Sequence, residues 1–165
     1  MERLFAPWRI RYILAPKYEG CIFCDFPKQD RDKENLILYR GKKTFIMMNR
    51  YPYNPGHVLV SPYRHVAELS ELEMDEKVEL IENIDLIIEA IRRAMNPDGF
   101  NVGLNIGKVA GAGMEAHLHF HVVPRWNGDT SFMPVFADVQ VVPEALEETY
   151  DKLKEAIESI KRDEK

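Results

Sequence analysis

The stretch His117-Leu118-His119-Phe120-His121-Val122-Val123 constrains this chain more than any other part of it. Three of the five histidines stand here at alternating positions. Residues i, i+2 and i+4 of a β-strand face the same way. The pattern therefore predicts a strand with three imidazoles on one face and Leu118, Phe120 and Val122 packed beneath. Such a row is a poor use of core-lining positions and an unusual surface, so it reads as a chemical site. Geometry argues against one metal held by all three. At ~3.3 Å per residue His117 and His121 lie ~13 Å apart along a strand, against Zn–N bonds of ~2.0–2.1 Å. Neighbours in the row can share an ion. The alternative is a division of labour, with one imidazole as nucleophile and the others orienting it or handling protons. Neutral imidazole is available near neutral pH, and its attack on phosphorus gives a labile phosphoramidate.

Two other stretches carry chemistry. Cys21-Ile22-Phe23-Cys24 places two thiols three residues apart. Such a pair can grip one tetrahedral zinc through a tight turn, or simply be two small buried residues. A redox pair needs a preceding strand and a helix start, which this sequence does not supply. Gly107-Lys108-Val109-Ala110-Gly111-Ala112-Gly113 is glycine-rich and runs into the histidine stretch. Closely spaced glycines let backbone N–H groups approach an anion as a nest for phosphate. The loop matches neither the Walker A pattern nor the dinucleotide fingerprint, so a flexible hairpin connection is the competing reading.

The rest of the chain supplies a scaffold. Residues 1–20 read as an N-terminal arm, and residues 25–34 as a charged loop. Strands are predicted over residues 35–39 and 44–49, joined by the turn Arg40-Gly41-Lys42-Lys43, then over 57–62 and 100–106. Tyr51-Pro52-Tyr53-Asn54-Pro55-Gly56 is turn chemistry. A long helix is written over residues 70–95. Ser70 and Glu73 read as its capping box, and Leu69 and Met74 as a staple. Met74, Val78, Ile81, Ile84, Ile88, Ile91 and Met95 recur as one core-facing stripe, with the methionines as core filler. A further strand is possible over residues 139–142. Pro143 opens a last helix, over about 143–163, with Leu146, Tyr150, Leu153, Ile157 and Ile160 on one face. No repeat or linker divides the 165 residues, so one domain over 1–165 is expected.

Composition narrows the partners. A net charge of −5 argues against nucleic-acid binding by bulk electrostatics. No apolar run approaches the ~20 residues of a membrane span, and the first residues lack a signal-peptide core. With both cysteines in one Cys-x-x-Cys, a secreted disulfide framework is excluded, and a cytoplasmic location is the expectation.

His117 to Val123 resembles the motif of the histidine triad (HIT) family. The resemblance extends further. Asn49 to Val60 is similar to that family's nucleoside-binding segment, and Asn105 to Gly113 to its phosphate loop. Trp8-Arg9, the cysteine pair and Pro124-Arg125-Trp126-Asn127-Gly128-Asp129 resemble the branch that includes bacterial diadenosine tetraphosphate phosphorylases and hydrolases. The likeness covers roughly residues 5 to 150.

It implies an α+β, HIT-like fold: a mostly antiparallel sheet of about five strands, one long helix and a C-terminal helix. It also implies a homodimer paired through the long helix and an edge strand. The implied activity is cleavage of dinucleoside polyphosphates, by hydrolysis or phosphorolysis, through a covalent nucleotidyl-histidine. His119 maps to the nucleophile, His121 to the leaving-group side, and His57 to the histidine supporting the triad. Asn49 maps to the ribose contact, Ile46 and Met47 to the base sandwich, and Asn105, Gly113 and Trp126 to the nucleotide site. Many members carry Gln or Ser where Gly113 stands, so only backbone donors are on offer there, with Lys108 and Arg125 as compensating cations. Zinc-bearing members use the positions of Cys21, Cys24, His65 and His117 for a structural Zn2+, and Mg2+ can accompany the substrate. Other outcomes are a nucleotide-binding protein with vestigial activity, a nucleoside phosphoramidate or adenylate hydrolase, and a catalytic metalloenzyme. Nucleotidyl transfer to a sugar phosphate is disfavoured, because that branch carries Gln where His121 stands.

Overall fold

The computed structural model describes residues 18–110, 117–129 and 145–164. The N-terminal arm with Trp8 and Arg9, Gly113, the strand expected over 139–142 and the Pro143 helix start all lie outside the described residues, the arm's last three residues apart.

Five strands form one antiparallel sheet: β1 (Ile37–Arg40), β2 (Thr44–Met48), β3 (Val58–Pro62), β4 (Gly99–Leu104) and β5 (Phe120–Arg125). Their spatial order is β1-β2-β3-β5-β4. Helices α1 (Ile22–Asp25) and α2 (Asp32–Asn35) are single turns. Two long helices, α3 (Met74–Met95) and α4 (Leu146–Asp163), pack on each other and on the sheet. With Leu38, Ile46, Met48, Val58, Val60, Leu118 and Val122 they close the larger core on one face. Phe23, Ile37, Phe45, Met47 and Leu59 form a smaller core on the other face. The mixed helix–sheet class and the five antiparallel strands agree with the expectation.

The histidine stretch enters the sheet later than its alternation predicts, since β5 begins at Phe120. Continuing the register Val60↔Phe120 sets Leu118 opposite Pro62, which has no N–H to donate. Side-chain and loop groups replace the missing ladder. The Ser61 hydroxyl donates to the Leu118 carbonyl at 3.0 Å, and the Leu118 N–H to the Val66 carbonyl at 2.7 Å. The two-residue period survives, because Leu118 and Val122 lie in the helix-side core with Phe120 against it. Before β3, Gly56 holds φ +78°, where an added Cβ would stand 2.8 Å from Met95 Sδ. Glycine is required there by both conformation and space.

The long helix departs from its sequence reading twice. Its capping box is Glu73 with Glu76, not Ser70 with Glu73, and a second box, Glu68 with Glu71, closes the preceding 3-10 turn over Leu69–Glu71. Met74 is 72% exposed, so no staple is buried. The stripe is also rotated. The core face uses Glu76, Leu80, Asn83, Ile84, Ile87, Ala90 and Ile91, while Val78 and Ile81 face outward. Two polar residues occupy core positions because each finds a partner. Arg64 forks onto both Glu76 oxygens at 2.7 Å, and Asn83 donates to the Thr44 hydroxyl at 2.7 Å. The stripe of α4 agrees with the sequence, with Tyr150, Leu153, Ile157 and Ile160 buried. No helix among the described residues is long and apolar enough to cross a membrane.

Candidate functional site

All five histidines gather on the sheet face opposite the long helices. His117, His119 and His121 come from the segment leading into and along β5. His57 immediately precedes β3, and His65 lies just beyond its end. Two sites share the row.

At one end, Cys21, Cys24, His65 and His117 present ligand atoms that all lie within 4.8 Å of one another. Cys21 Sγ is 3.3 Å and Cys24 Sγ 3.4 Å from His117 Nδ1, Cys24 Sγ is 3.3 Å from His65 Nδ1, and the two Nδ1 atoms are 3.2 Å apart. A tetrahedral ion with bonds of ~2.0–2.3 Å asks for edges of about 3.3–3.8 Å. The set therefore fits one tetrahedral metal. His117 is prepared for it, since its Nε2–H donates to the Pro62 carbonyl at 2.9 Å and leaves Nδ1 as the lone-pair nitrogen. Burial holds the His117 imidazole down to about 4, so its neutral, ligating form prevails. Burial, reinforced by hydrogen bonding from Cys21, pushes the Cys24 thiol up to about 11. A cation among these sulfurs reverses that tendency, because metal binding requires and stabilises thiolate.

At the other end, backbone partners settle the tautomers. The His119 Nδ1–H donates to the His117 carbonyl at 2.9 Å. That carbonyl can only accept, so His119 Nε2 carries the free lone pair. The Tyr53 N–H donates to His57 Nδ1 at 3.1 Å, which puts the His57 proton on Nε2. From there it is donated to His121 Nδ1 at 2.9 Å, so His121 presents an N–H at its own Nε2. Asn49 Oδ1 accepts from the Tyr51 N–H, and its Nδ2 lies 3.3 Å from His57 Nδ1. The result is one imidazole with a free lone pair beside another with a free donor, ring centroids 5.0 Å apart. Burial lowers the pKa of His119, takes His121 to about 4 and takes the fully buried His57 to about 3. All three are neutral at neutral pH, so the His119 lone pair is not lost to a proton.

The buried neutral state of His57 has a measurable consequence. Its folded pKa of about 3 lies below its unfolded value of ~6.5, so only the unfolded chain takes up that proton between these limits. The His57 contribution to stability is complete above ~pH 6.5 and is lost as pH falls toward 3. Its slope reaches ~1.4 kcal/mol per pH unit. Urea midpoints measured across this range are expected to fall less steeply in His57→Gln than in the native chain. Equal slopes would refute this assignment.

The remaining sequence candidates separate. Met47 is buried on the histidine face. Ile46 is a correction: it packs in the helix-side core at 0% exposure and cannot reach a ligand on the other face. The half-buried Asn105 follows β4 and lines a cleft with His121. Trp126 opens a turn after β5 and donates its backbone N–H to the Asp129 carboxylate at 3.1 Å. Sequence reasoning missed Phe23, whose ring stacks 4.7 Å from that of His119 and lies tilted 5.2 Å from that of His117. The only signal was its place between the two cysteines. Tyr53 was also missed as a site residue. It stacks on His57 at 4.8 Å yet remains 57% exposed.

Comparison with known proteins points the same way. The HIT domain family matches residues 30–128. An AP-4-A phosphorylase of Mycobacterium tuberculosis (strain H37Rv) is 39% identical over 158 residues, spanning 90% of this chain and 80% of that protein. A bis(5'-adenosyl)-triphosphatase of Saccharomyces cerevisiae (strain RM11-1a) is 36% identical over 91 residues, 54% of this chain and 44% of that protein. Among solved structures, a Zn-bound histidine triad family protein from Mycobacterium smegmatis superposes with a TM-score of 0.70 at 26% identity, covering 87% of this chain and 97% of that one.

Proposed function

Because the chain belongs to the HIT domain family, whose model spans residues 30–128, we propose that it is an enzyme cleaving dinucleoside polyphosphates in two displacements through His119. The observation that carries this reading is the His119 Nδ1–H bond to the His117 carbonyl, which leaves Nε2 as the nucleophilic atom. In the first step the Nε2 lone pair attacks the α-phosphorus. A P–N bond forms, the P–O bond to the departing phosphate chain breaks, and the electron pair leaves on that chain. The His121 Nε2–H donates a hydrogen bond to phosphate oxygen as charge develops there. His57 holds that donor in place. In the second step an acceptor oxygen attacks the same phosphorus and the P–N bond breaks, restoring neutral His119.

The preferred acceptor in this reading is inorganic phosphate, supported by the 39% identity to an AP-4-A phosphorylase over 90% of the chain. Asn49 and Met47 are assigned to the nucleoside being transferred, and Asn105 and the backbone at Gly113 to its phosphates. The Cys₂His₂ group is assigned to Zn2+, supported by its tetrahedral spacing and by the Zn-bound relative. When bound, the ion supplies a fixed anchor for His117, whose carbonyl orients the nucleophile. Among the described residues that group is the one such cluster, and any Mg2+ is assigned to the substrate phosphates. One domain is supported by both long helices packing on one sheet, and a homodimer by the outward-facing Met74, Val78 and Ile81. A cytoplasmic setting fits two free cysteines.

Incubation with diadenosine tetraphosphate, with and without inorganic phosphate, tests the reading. ADP plus ATP formed only with phosphate is the expected result. AMP plus ATP formed without phosphate would move the acceptor to water, and tight binding with no products would overturn the enzymatic reading.

A further inference from the structure

Past His121, on the side away from β2, the histidine face continues over β5 and β4 as an open cleft of about 440 Å³. Tyr53, Asn54, Asn101, Gly103, His121 and Arg125 are among the residues that line it. Gly103 is paired with His121 across the β4–β5 ladder, so its missing side chain lies beside that imidazole on the same face. The fold does not ask for glycine there. Its φ is not positive, and an added Cβ would meet no heavy atom within 4 Å. Glycine inside a strand costs stability and marks places where something approaches the backbone closely. Here it leaves the floor bare next to the histidine assigned to the leaving group.

The lining chemistry narrows the occupant. Tyr53 is mostly exposed, yet its ring is held by stacking on His57 at 4.8 Å and on His121 at 6.1 Å, a rigid aromatic platform. Arg125 Nη1 donates to Asn101 Oδ1 at 2.8 Å, which orients that amide with its donor end turned away from the guanidinium. Arg125 is itself paired with both Asp129 oxygens at 2.6 and 2.9 Å, so its charge is largely compensated. A flat ring, oriented amides and a compensated cation suit a base and ribose better than a dense anion.

We propose that this cleft binds the second nucleoside of a dinucleoside polyphosphate, the one that departs with the leaving phosphates, and that Gly103 is the residue that admits it. The proposal rests on the reading above, which places the reacting phosphorus at His119 and the departing chain at His121. It adds a specificity site to that reaction. A substrate with two nucleosides gains contacts that a nucleoside polyphosphate with one cannot make.

The test compares diadenosine tetraphosphate with adenosine 5'-tetraphosphate in the full chain and in two variants. Gly103→Val fills the floor from a position where an added Cβ has no heavy atom within 4 Å, and Asn101→Ala removes one oriented amide. The native protein is expected to prefer the two-nucleoside substrate in kcat/KM. Gly103→Val should lower kcat/KM for diadenosine tetraphosphate about tenfold, mainly through KM, a fold-change within the range for a lost base stack. Adenosine 5'-tetraphosphate should be unaffected. Asn101→Ala should act in the same direction by a smaller factor, and decides the matter should the valine variant fail to fold. Equal effects on both substrates, or none on either, would overturn the second-nucleoside site while leaving the parent reading intact. A native protein that turns over neither substrate would overturn both.

Discussion

Replacing His119 with alanine is expected to lower turnover of dinucleoside polyphosphates by a factor on the order of 10⁴ or more, because it removes the atom assigned to the covalent bond. Little else should change. The ring is only partly buried, it donates one hydrogen bond to a local carbonyl, and its stacking on Phe23 involves a residue already anchored in the smaller core. Nucleotide binding and the thermal midpoint are therefore expected to stay close to those of the native chain. Calorimetry, binding titration and single-turnover kinetics on the same preparation separate these effects. Full turnover by a folded His119→Ala variant would end the nucleophile assignment.

The second large effect is expected at the cysteine pair. The Cys21→Ser, Cys24→Ser double variant should retain none of the zinc expected in the native protein, as read by elemental analysis, and be less stable. A ligand present at a thousand times its Kd stabilises the folded state by ~4 kcal/mol. For a chain of this length that corresponds to a fall in Tm of about 10 °C. Activity should fall as well, because His117 is both a proposed ligand and the residue whose carbonyl orients His119. The two consequences travel through one residue, so chelation of the native protein should lower Tm and turnover together. A native protein that carries no metal after growth in zinc, or a double variant with an unchanged Tm, would contradict this.

The gathering of the candidate site residues was more legible in the sequence than the packing that supports it. Alternating histidines put three imidazoles on one face whatever the exact strand limits, and the four candidate metal ligands converge within a few ångströms. The errors came where polar residues take core positions or where one missing donor shifts a boundary. Glu76 and Asn83 look like solvated helix positions, yet Arg64 and Thr44 satisfy them inside, and this turns Met74, Val78 and Ile81 outward. Pro62 lacks the N–H that would have continued the ladder to Leu118, so β5 starts at Phe120. Ile46 illustrates the two-residue period itself. Adjacent to Met47 in sequence, it necessarily lies on the opposite face. Tautomers could not be read from sequence at all, because they depend on which backbone groups come to each ring.

The central claim is that the phosphoryl centre is displaced twice, with His119 holding the nucleotidyl group between the steps. The stereochemical course at an isotopically or sulfur-labelled α-phosphorus tests it most directly, without trapping the intermediate. Each in-line displacement inverts the centre, so two displacements predict net retention of configuration in the product nucleotide. Net inversion would mean that the acceptor attacks the substrate directly, and would remove His119 from covalent catalysis.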